Sequence, residues 1–422
     1  MLKVLHVSYS DLGGGAAKSA YRIHRALLSE SVESKMIVNE KLSSDWTIIP
    51  ATGGAVKFYS FFRRAVAFFV KKISHTSNKV FRSPSMLPSQ WVRFINESDF
   101  DIVHLHWIQA EMLSISDIRR IEKPIVWTLH DMWAFSGAEH YPQDSRWHEG
   151  YSRESRSSLD KGFDLDRWVW NRKRRNWVSP QQVVCPSNWL GSLVGKSALM
   201  GGWPVKVIPY ALDTDVWKPI SKATAREILQ LDPDASFLLF GSAGGTADSR
   251  KGFDLLCDAL ARLKQRGGPG IEGIQVLVFG QEPDEETHDF GFPVQYLGRF
   301  QDEKSLSELY SAADVVIIPS RQDNLPNVGV EAMACGTPIV AFDVGGLGDI
   351  VTHKKTGYLA RPFDSNDLAA GIWWVLARTP SEKVELSTTA RTSAQAKFSA
   401  ARIGKRYLDV YEHTLKRLSS GG

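Results

Sequence analysis

Short apolar runs alternate with helical patterns along almost the whole of this chain of 422 residues. A strand, a helix and a second strand form the repeat of parallel sheets, because a parallel connection has to cross from one end of the sheet to the other. The strand-like runs are LKVLHVSY, SKMIVN, DIVHLHW, PIVWTLH and QQVVCPS in the first half, then KVIPY, SFLLFGSA, IQVLVFG, VQYLGRF, DVVIIPS and TPIVAFDV. This alternation predicts an α/β fold with parallel sheets.

Length and composition narrow the class of protein. A chain of 422 residues is too long for one core and predicts two domains of roughly 200 residues each. Hydrophobic residues make up 43% and charged residues 23%, as in ordinary globular proteins, and no apolar run approaches the roughly 20 residues that span a bilayer. The three cysteines are scattered without metal-ligand spacing, and the first residues form a strand-like run that a Gly-rich turn follows. We therefore expect a cytoplasmic protein.

Two carboxylates stand eight residues apart in IIPSRQDNLPNVGVEAMACGTPIVAFD, residues 317–343. Asp323 follows a strand-like run, and Glu331 is predicted to lie in the first turn of a helix that Gly336 ends. Open α/β sheets bind ligands outside the carboxyl ends of their strands. Two carboxylates beside unpaired backbone N–H groups suit a ligand with sugar hydroxyls at both ends and phosphates between them.

This segment resembles the signature of the nucleotide-sugar-dependent glycosyltransferases of family 4, which have the GT-B fold. The family signature has two Glu separated by seven residues, followed by Ala-Met-Ala-x-Gly-x-Pro. Here Asp323 replaces the first Glu, and the rest stands as EAMACGTP. The resemblance extends along nearly the whole chain and is closest to the colanic acid and exopolysaccharide type. It implies two Rossmann-like domains whose parallel sheets face each other across a cleft.

The domain limits are predicted from the same resemblance. VIPYALDTDVWKP, residues 207–219, resembles the interdomain link of the family. We therefore expect an N-terminal, acceptor-side domain over residues 1–206 and a C-terminal, nucleotide-sugar-binding domain over residues 207–393. A last helix, from about Ala394 to Leu418, is expected to cross back to the first domain, so that residues 394–422 form a separate segment.

The resemblance also implies a set of donor-binding residues. Lys251, in DSRKGFDLL, matches the position whose ammonium neutralises the diphosphate, and Arg250 adds charge where this chain has Gly241-Ser242 instead of the usual Gly-Arg. Glu331 is expected to accept from the ribose hydroxyls and Asp323 from the donor sugar. The remaining expected donor contacts are Gly14 and Gly15 in the turn after the first strand, Asn324, Leu325 and Arg299.

His130 is the second expected catalytic residue beside Asp323. It ends the run PIVWTLH, and family members with Thr-x-His-Asp at this place have the His near the donor sugar and β-phosphate. An imidazole at the carboxyl end of a strand can donate to the donor or orient an acceptor hydroxyl. His104 and His106 share one face of a strand, in the core or in a cleft, and we assign them no catalytic role.

No metal and no cofactor are predicted. Asp213 and Asp215 have the Asp-x-Asp spacing of the metal site of another glycosyltransferase fold, but the same spacing recurs three times elsewhere in the chain. Their place in the predicted link argues against a catalytic ion, and the resemblance implies a metal-independent reaction.

A basic segment suggests a surface function. No Asp or Glu occurs from Trp46 to Asn96, and residues 55–75, AVKFYSFFRRAVAFFVKKISH, can be drawn as a helix with an aromatic and a basic face. Such a helix lies on an anionic membrane or buries its aromatic face in the protein's own core, and the sequence leaves both open. The candidate acceptor or membrane contacts are Arg63, Arg64, Lys71, Lys72 and Trp133. No recognition motif for nucleic acid accompanies the charge.

The predicted function is a retaining hexosyltransferase. The resemblance implies that a sugar passes from a nucleoside diphosphate sugar to a glycan acceptor, which we expect to be lipid-linked and part of a bacterial surface polysaccharide. The protein is expected in the cytoplasm, peripheral on the inner face of the membrane. A nucleotide-sugar epimerase stays open as an alternative, because it shares the fold and would also bind a nucleoside diphosphate sugar. A non-catalytic membrane-associated relative stays open as well, because Asp323 and Gly241-Ser242 depart from the family pattern.

Overall fold

The computed structural model describes residues 1–76, 78, 80–241, 248–280, 290–300 and 302–419. The chain divides into two compact units. The first unit comprises residues 1–210 together with 401–422, and the second comprises residues 211–400. Each unit is built on a sheet of parallel strands, so the predicted α/β class is confirmed.

A parallel sheet organises the first unit. Its described strands are β1 (Lys3–Ser10), β2 (Glu33–Glu40), β3 (Ile48–Pro50), β4 (Ser74–His75), β5 (Ile102–Leu105), β6 (Ile125–Thr128), β7 (Lys161–Gly162), β8 (Gln182–Cys185) and β9 (Val205–Val207). The sheet order is β3-β2-β1-β5-β6-β8-β9, and β4 pairs antiparallel with β7. Because both faces of a parallel sheet are covered, β5, β6 and β8 are buried along their whole length.

Helices cover this sheet. They are α1 (Gly15–Leu28), α2 (Gly54–Lys72), α3 (Trp91–Glu97), α4 (Ile115–Arg120), α5 (Arg146–Glu149), α6 (Leu165–Asn176) and α7 (Asn188–Lys196). Side-chain caps fix the start of three of them. Ser114 and Asp117 form a capping box on α4, and Asp164 and Ser187 accept from backbone N–H groups of α6 and α7.

The second unit repeats the architecture. Its described elements are α8 (Lys222–Ile228), β10 (Ser236–Gly241), α9 (Phe253–Arg266), β11 (Ile274–Phe279), β12 (Val294–Tyr296), α10 (Glu303–Ala312), β13 (Val315–Ile318), α11 (Asn327–Ala334), β14 (Ile339–Phe342), α12 (Leu347–Ile350), β15 (Gly357–Ala360), α13 (Ser365–Leu376) and α14 (Pro380–Phe398). The strands are parallel in the order β12-β11-β10-β13-β14-β15. Leu256, Leu260 and Ile372 are fully buried where α9 and α13 cover the sheet.

The last helical stretch differs from the prediction. One helix was expected from about Ala394, but α14 ends at Phe398 and α15 (Ala400–Ser419) follows after a break. Ser399 has extended ψ there, so the helical hydrogen bonds cannot continue through it. The chain belongs to the first unit again from residue 401.

Three strand predictions also need correction. The run KVIPY was counted with the second half, but β9 pairs with β8 in the first sheet, with Val207 opposite Cys185. The short edge strands β3 and β15 were not predicted. The two-residue strands β4 and β7, which pair with each other, were not predicted either.

The order of the strands determines where each unit can bind a ligand. In the first sheet β1 lies between β2 and β5, and in the second β10 lies between β11 and β13. The order of connection reverses at such a strand, which opens a crevice outside its carboxyl end. The turn at Gly14 follows β1, and Asp323 follows β13. Each unit therefore presents sequence-predicted site residues at its switch point.

Candidate functional site

Lys251 and Asp323 form an ion pair at the carboxyl edge of the second sheet. Lys251 ends a short 3-10 helix, Ser249–Lys251, that precedes α9, and Asp323 lies in the loop after β13. The Nζ atom of Lys251 is 2.6 Å from Oδ2 of Asp323, and the two side chains are 25% and 11% exposed. An ammonium has three N–H donors, so one directed at Asp323 leaves two for a second anion.

Two glycines allow the backbone to approach closely around this pair. Gly252 has φ +67° and Gly345 has φ +58°. A Cβ atom on Gly252 would lie 1.9 Å from the carbonyl oxygen of Pro319, and one on Gly345 would lie 2.0 Å from that of Asp323. Any other residue would clash with a backbone atom in either place, so these glycines hold Lys251 and Asp323 where they are.

Glu331 lies in the second turn of α11, so the prediction that it opens the helix was wrong. The helix begins at Asn327, directly after Pro326, because proline lacks the N–H that a helix interior needs and is accommodated at a helix start. Glu331 is buried, and its Oε2 accepts from the hydroxyl of Tyr310 at 2.9 Å. A carboxylate in that surrounding needs such donors because burial removes water from it.

Asn324 and Leu325, two further expected donor contacts, are buried beside Asp323. The backbone N–H of Asn324 donates to Asp323 Oδ1 at 3.1 Å. Arg250 pairs with Asp248 at 2.6 Å, and Arg299 is exposed after β12. The loop 242–247, where the chain departs from Gly-Arg, lies outside the described residues.

The Gly-rich turn of the first unit leads directly into α1. Gly14 is the N-cap residue with φ +101°, Gly15 is the first helical residue, and both are exposed. No side chain caps this end of α1. The turn is fastened by Asp11, whose carboxylate accepts from the backbone N–H groups of Leu12, Leu42 and Ser43 at 2.8–2.9 Å. Asp11 was missed in the sequence because a single acidic residue before a Gly-rich turn carries no pattern.

His130 belongs to a group of buried histidines on β1, β5 and the loop after β6. His6 Nδ1 lies 2.8 Å from His106 Nε2, and His106 Nδ1 lies 3.3 Å from His130 Nε2. His130 Nδ1 lies 2.9 Å from the hydroxyl of Tyr210, whose ring stacks on the imidazole. His104 is hydrogen-bonded to Tyr411 and Thr128. We name the series Tyr210, His130, His106 and His6 the imidazole chain.

Burial keeps these histidines neutral. It lowers the pKa of His130 to about 4 and holds the pKa values of His6, His104 and His106 well below the usual 6.5. His24 on α1 is also buried, between Ser34 and Thr47, and its pKa is lowered to about 4. His6, His104 and His106 bring nitrogen atoms within 4.8 Å of one another, which is close enough for a metal ion.

The loop after His130 is held by a buried lysine. Lys173 on α6 donates from Nζ to the carbonyl oxygens of Trp133, Ser136 and Gly137, the last at 2.7 Å, and it lies over the Trp133 ring. Trp133 was predicted to contact an acceptor or a membrane. That prediction was wrong, because its side chain is fully buried and its indole N–H donates to Ser83.

Helix α2 turns its aromatic face outward. The phenylalanines of this helix and Ile73, which directly follows it, are between 47% and 71% exposed. The phenylalanines are Phe58, Phe61, Phe62, Phe68 and Phe69. Arg64 and Lys72 are exposed, and Lys71 is half-buried over the Phe81 ring. In the part of the chain that the structure describes, no helix is long and apolar enough to cross a membrane.

Arg63 was predicted on the exposed basic face of this helix, and that was wrong. Its side chain is 2% exposed, and its guanidinium donates to the carbonyl oxygens of Leu87 and Met112. Helical periodicity separates the faces of α2 but does not say which residue enters the protein. Arg63 therefore anchors α2 to the unit.

A pocket of about 280 Å³ lies in the first unit beside α2. It is bordered by the carboxyl ends of β1 and β2 and by the loop after β5. Its lining residues are Tyr9, Asn39, Glu40, Ala51, Lys57, Ser60, Arg64, Ala110 and Glu111. Arg64 donates to the hydroxyl of Tyr9 at 3.0 Å. The pocket therefore combines hydroxyl, amide, carboxylate and cationic groups, a set that suits a charged saccharide.

Two family models match the chain. The model described as Glycosyltransferase Family 4 matches residues 13–216, and the model described as Glycosyl transferases group 1 matches residues 237–378. A D-inositol 3-phosphate glycosyltransferase from Saccharomonospora viridis is 33% identical over 223 residues, which are 50% of this chain and 50% of that protein. The chain spans about half the length of the curated relatives it matches first.

Solved structures resemble the whole chain. Sucrose-phosphate synthase from Thermosynechococcus elongatus has a TM-score of 0.70 at 18% identity, with 100% of both chains covered. HepE from Anabaena, in complex with UDP and glucose, has a TM-score of 0.63 at 19% identity over 98% of this chain and 100% of that chain. The protein has the GT-B fold. The two family models, which together match most of the chain, identify it as a member of the family 4 glycosyltransferases.

Replacing Lys173 by Met is expected to destabilise the first unit by about 3 kcal/mol, because three buried carbonyl groups lose a charged donor. For a unit of this size that lowers the melting temperature by roughly 10 °C, measurable by scanning calorimetry. Arg175→Met is the control, since Arg175 is exposed on the same helix. Equal melting temperatures for the two variants would contradict the anchoring role of Lys173.

The buried histidines predict acid sensitivity. An unfolded imidazole binds a proton below pH 6.5, whereas His24 and His130 bind one in the folded protein only near pH 4. The neutral imidazoles contribute fully to the free energy of unfolding above pH 6.5. Between pH 6.5 and 4, each imidazole lowers this free energy by about 1.4 kcal/mol per pH unit as the pH falls. Burial raises the pKa values of Glu111, Glu139 and Asp144, which opposes this trend, but these are three groups against five histidines.

Urea unfolding of the native chain between pH 7.5 and 5 measures this loss. The slope of unfolding free energy against pH is expected to fall by about 1.4 kcal/mol per unit in His24→Leu and to stay unchanged in His148→Gln, because His148 is exposed. A native stability that is equal at pH 7.5 and pH 5 would contradict the neutral state of these imidazoles.

Proposed function

We propose that this protein transfers a sugar, with retention of configuration and without a metal ion, from a nucleoside diphosphate sugar to a lipid-linked saccharide. The acceptor is a precursor of a bacterial surface polysaccharide, and the reaction takes place at the cytoplasmic face of the membrane. The observation that carries the proposal is the ion pair of Lys251 and Asp323 at the switch point of the second sheet, close in sequence to the buried Glu331.

The second unit is the donor-binding unit in this proposal. Lys251 directs one N–H to Asp323, and its other two donors meet the diphosphate, with Arg250 adding charge. A fixed cation stabilises the leaving nucleoside diphosphate as negative charge develops on it, which is the task that a metal ion has in other transferases. Asp323 can accept only, so it suits hydroxyls of the donor sugar.

Glu331 is the proposed contact for the ribose. It is an acceptor-only group in a buried position, and Tyr310 fixes one of its oxygens. A buried carboxylate held in this way recognises a pair of hydroxyls without first reorganising. The shorter Asp323 in place of Glu changes the reach to the transferred sugar by one methylene, so we expect the sugar preference to differ from that of relatives with Glu.

The first unit is the proposed acceptor unit. His130 assists at the reacting centre, and the pocket beside α2 receives the saccharide that is extended. Lys57 and Arg64 supply this pocket with cations beside the carboxyl groups of Glu40 and Glu111, and the cations suit the phosphate groups of a lipid-linked intermediate. The curated relatives are named D-inositol 3-phosphate glycosyltransferases, and a phosphate group in the name of their reaction supports this class.

Helix α2 is the proposed membrane contact. Exposed aromatic side chains of one helix form a large apolar surface that water does not favour, whereas the interfacial region of a bilayer does. Lys72 and Arg64 lie where anionic headgroups would be, and Arg63 holds the helix to the unit from the other side. A pocket that borders this helix would receive the headgroup while the lipid chain stays in the bilayer.

Donor binding is tested by calorimetry of the protein with UDP-, GDP-, ADP- and dTDP-sugars in the presence of EDTA. We expect one nucleotide to bind, and Glu331→Gln to weaken it roughly 10- to 100-fold, because a hydrogen bond to a charged group contributes about 1.5–3 kcal/mol. Glu272→Gln, at an exposed position, is expected to bind like the unaltered protein.

The same experiment separates the alternatives. Binding of no nucleotide sugar, with or without EDTA, would rule out the transferase and favour a non-catalytic relative. Binding followed by conversion of the sugar without any acceptor would identify an epimerase. Binding that requires a divalent ion would contradict the role given to Lys251.

Membrane binding is tested by sedimentation with vesicles that contain phosphatidylglycerol. Phe61→Ser with Phe69→Ser is expected to reduce vesicle binding roughly 100-fold while donor binding is retained, because each buried phenylalanine contributes about 1.5–3 kcal/mol. The control is Leu159→Ser with Val178→Ser, which removes two exposed apolar side chains outside α2. An equal loss in both double variants, or none in either, would contradict the assignment of α2.

A further inference from the structure

The imidazole chain joins His130 to the interior of the first sheet through three consecutive hydrogen bonds. β1 carries His6, β5 leads into His106, and both are fully buried. The sheet register places His6 opposite His104, and the ring centroid of His104 lies 4.1 Å from that of His106 in a tilted arrangement. The chain is therefore a built feature of the sheet and not a set of mobile side chains.

Because the imidazoles are neutral, the hydrogen bonds of the imidazole chain must all run in the same donor-to-acceptor direction. Each ring has one N–H and one bare nitrogen, so a ring that donates on one side accepts on the other. All three rings must then point the same way, either from Tyr210 towards His6 or from His6 towards Tyr210. The tautomer of His130 is therefore tied to that of His6 through His106.

The surroundings of His6 decide between the two directions. Its Nε2 atom is buried and has no hydrogen-bond partner among the described residues. If the chain pointed towards His6, this atom would carry a buried N–H without an acceptor. If it pointed towards Tyr210, the atom would be a bare nitrogen. Buried N–H groups without partners are rarer in proteins than unsatisfied acceptors, which favours the second direction.

We propose that His6 and His106 are positioning residues that hold His130 with its proton on Nδ1, so that His130 donates to the oxygen of Tyr210. The hydroxyl proton of Tyr210 then points away from His130. The consequence for sugar transfer rests on the proposed function, whereas the tautomer of His130 does not.

The chain positions a proton but does not supply one. If Tyr210 gave its proton away and each ring passed one along, His6 would be left as an imidazolate with two bare nitrogens. No described residue donates to His6 Nε2, so nothing in the described part of the chain replaces that proton. A metal ion at His6, His104 and His106 would have to break the hydrogen bonds that these rings make.

NMR of the unliganded protein, with 15N-labelled histidine at pH 7.5, measures the tautomer directly. The His130 resonances are identified by their loss in His130→Gln. We expect a protonated Nδ1 and a bare Nε2 in the native protein. His6→Leu removes the end of the chain and should give a mixture of tautomers, whereas His6→Asn, whose amide can donate to His106, should restore the native signal.

His24→Leu is the matched control. His24 is equally buried and has two hydrogen bonds, but it is not part of the imidazole chain. It should leave the His130 signal unchanged while perturbing the fold as much as His6→Leu does. Tyr210→Phe is a second, nearly isosteric variant at the other end, and it should lower the fraction of His130 protonated on Nδ1.

Kinetics with UDP-, GDP-, ADP- and dTDP-glucose give the second readout. His6→Leu should lower kcat roughly 10- to 100-fold with little change in KM for the donor, and His6→Asn should recover most of it, as found for groups that orient a functional histidine. A native His130 protonated on Nε2, an unchanged tautomer in His6→Leu, or an equal loss of kcat in His24→Leu would overturn the inference.

The two proposals fail in different ways. If the native protein binds none of the UDP-, GDP-, ADP- and dTDP-sugars but has the expected His130 tautomer, the transferase function fails and the positioning by His6 stands. If zinc added to the native protein shifts the nitrogen resonances of His6 and His106 together at one equivalent, the site binds a metal ion and the positioning chain is overturned.

Discussion

The structure depends on the pairing of polar groups inside two parallel sheets whose faces are both covered. Burial costs a charge or an imidazole several kcal/mol unless hydrogen bonds replace water. Lys173 meets this requirement with three carbonyl oxygens, Arg63 with those of Leu87 and Met112, and Glu331 with Tyr310. Because each of these groups ties together segments that are distant in sequence, the same bonds that make burial tolerable also fix the loops around the candidate site.

Much of the fold could be predicted from the sequence because strands buried on both faces are nearly continuous apolar runs. VVII of β13 and IVAF of β14 are examples, and both are buried throughout. Short edge strands carry no such signal: β3 has three residues and includes Pro50. The assignment of β9 failed for another reason, since its partner β8 lies before it in the chain and a strand's own residues do not say which sheet it joins.

The candidate site was predictable only where local sequence determines position. The ion pair of Lys251 and Asp323 joins two segments that a family pattern had already marked. The imidazole chain could not be foreseen, because the contact of His6 with His106 depends on the register of β1 against β5. The position of Trp133 was predicted wrongly for a similar reason. A tryptophan after the end of a strand can lie in a cleft or in the core, and its burial follows from contacts with Lys173 and Ser83, which are distant in sequence.

Helix α2 shows why a helical pattern does not identify the face that enters the protein. Its buried contact includes a cation, Arg63, which two backbone carbonyls satisfy, while its phenylalanines remain in water. Ordinary amphipathic helices have the opposite arrangement, because apolar area left exposed forfeits about 25 cal/mol per Å². Helix α2 is attached to the first unit by a buried cation, whereas its aromatic side chains stay exposed. Its contacts with the unit therefore stabilise it less than the burial of an apolar face would. An apolar surface outside the protein would supply the missing stabilisation, and this is the physical ground for the proposal that α2 contacts a membrane.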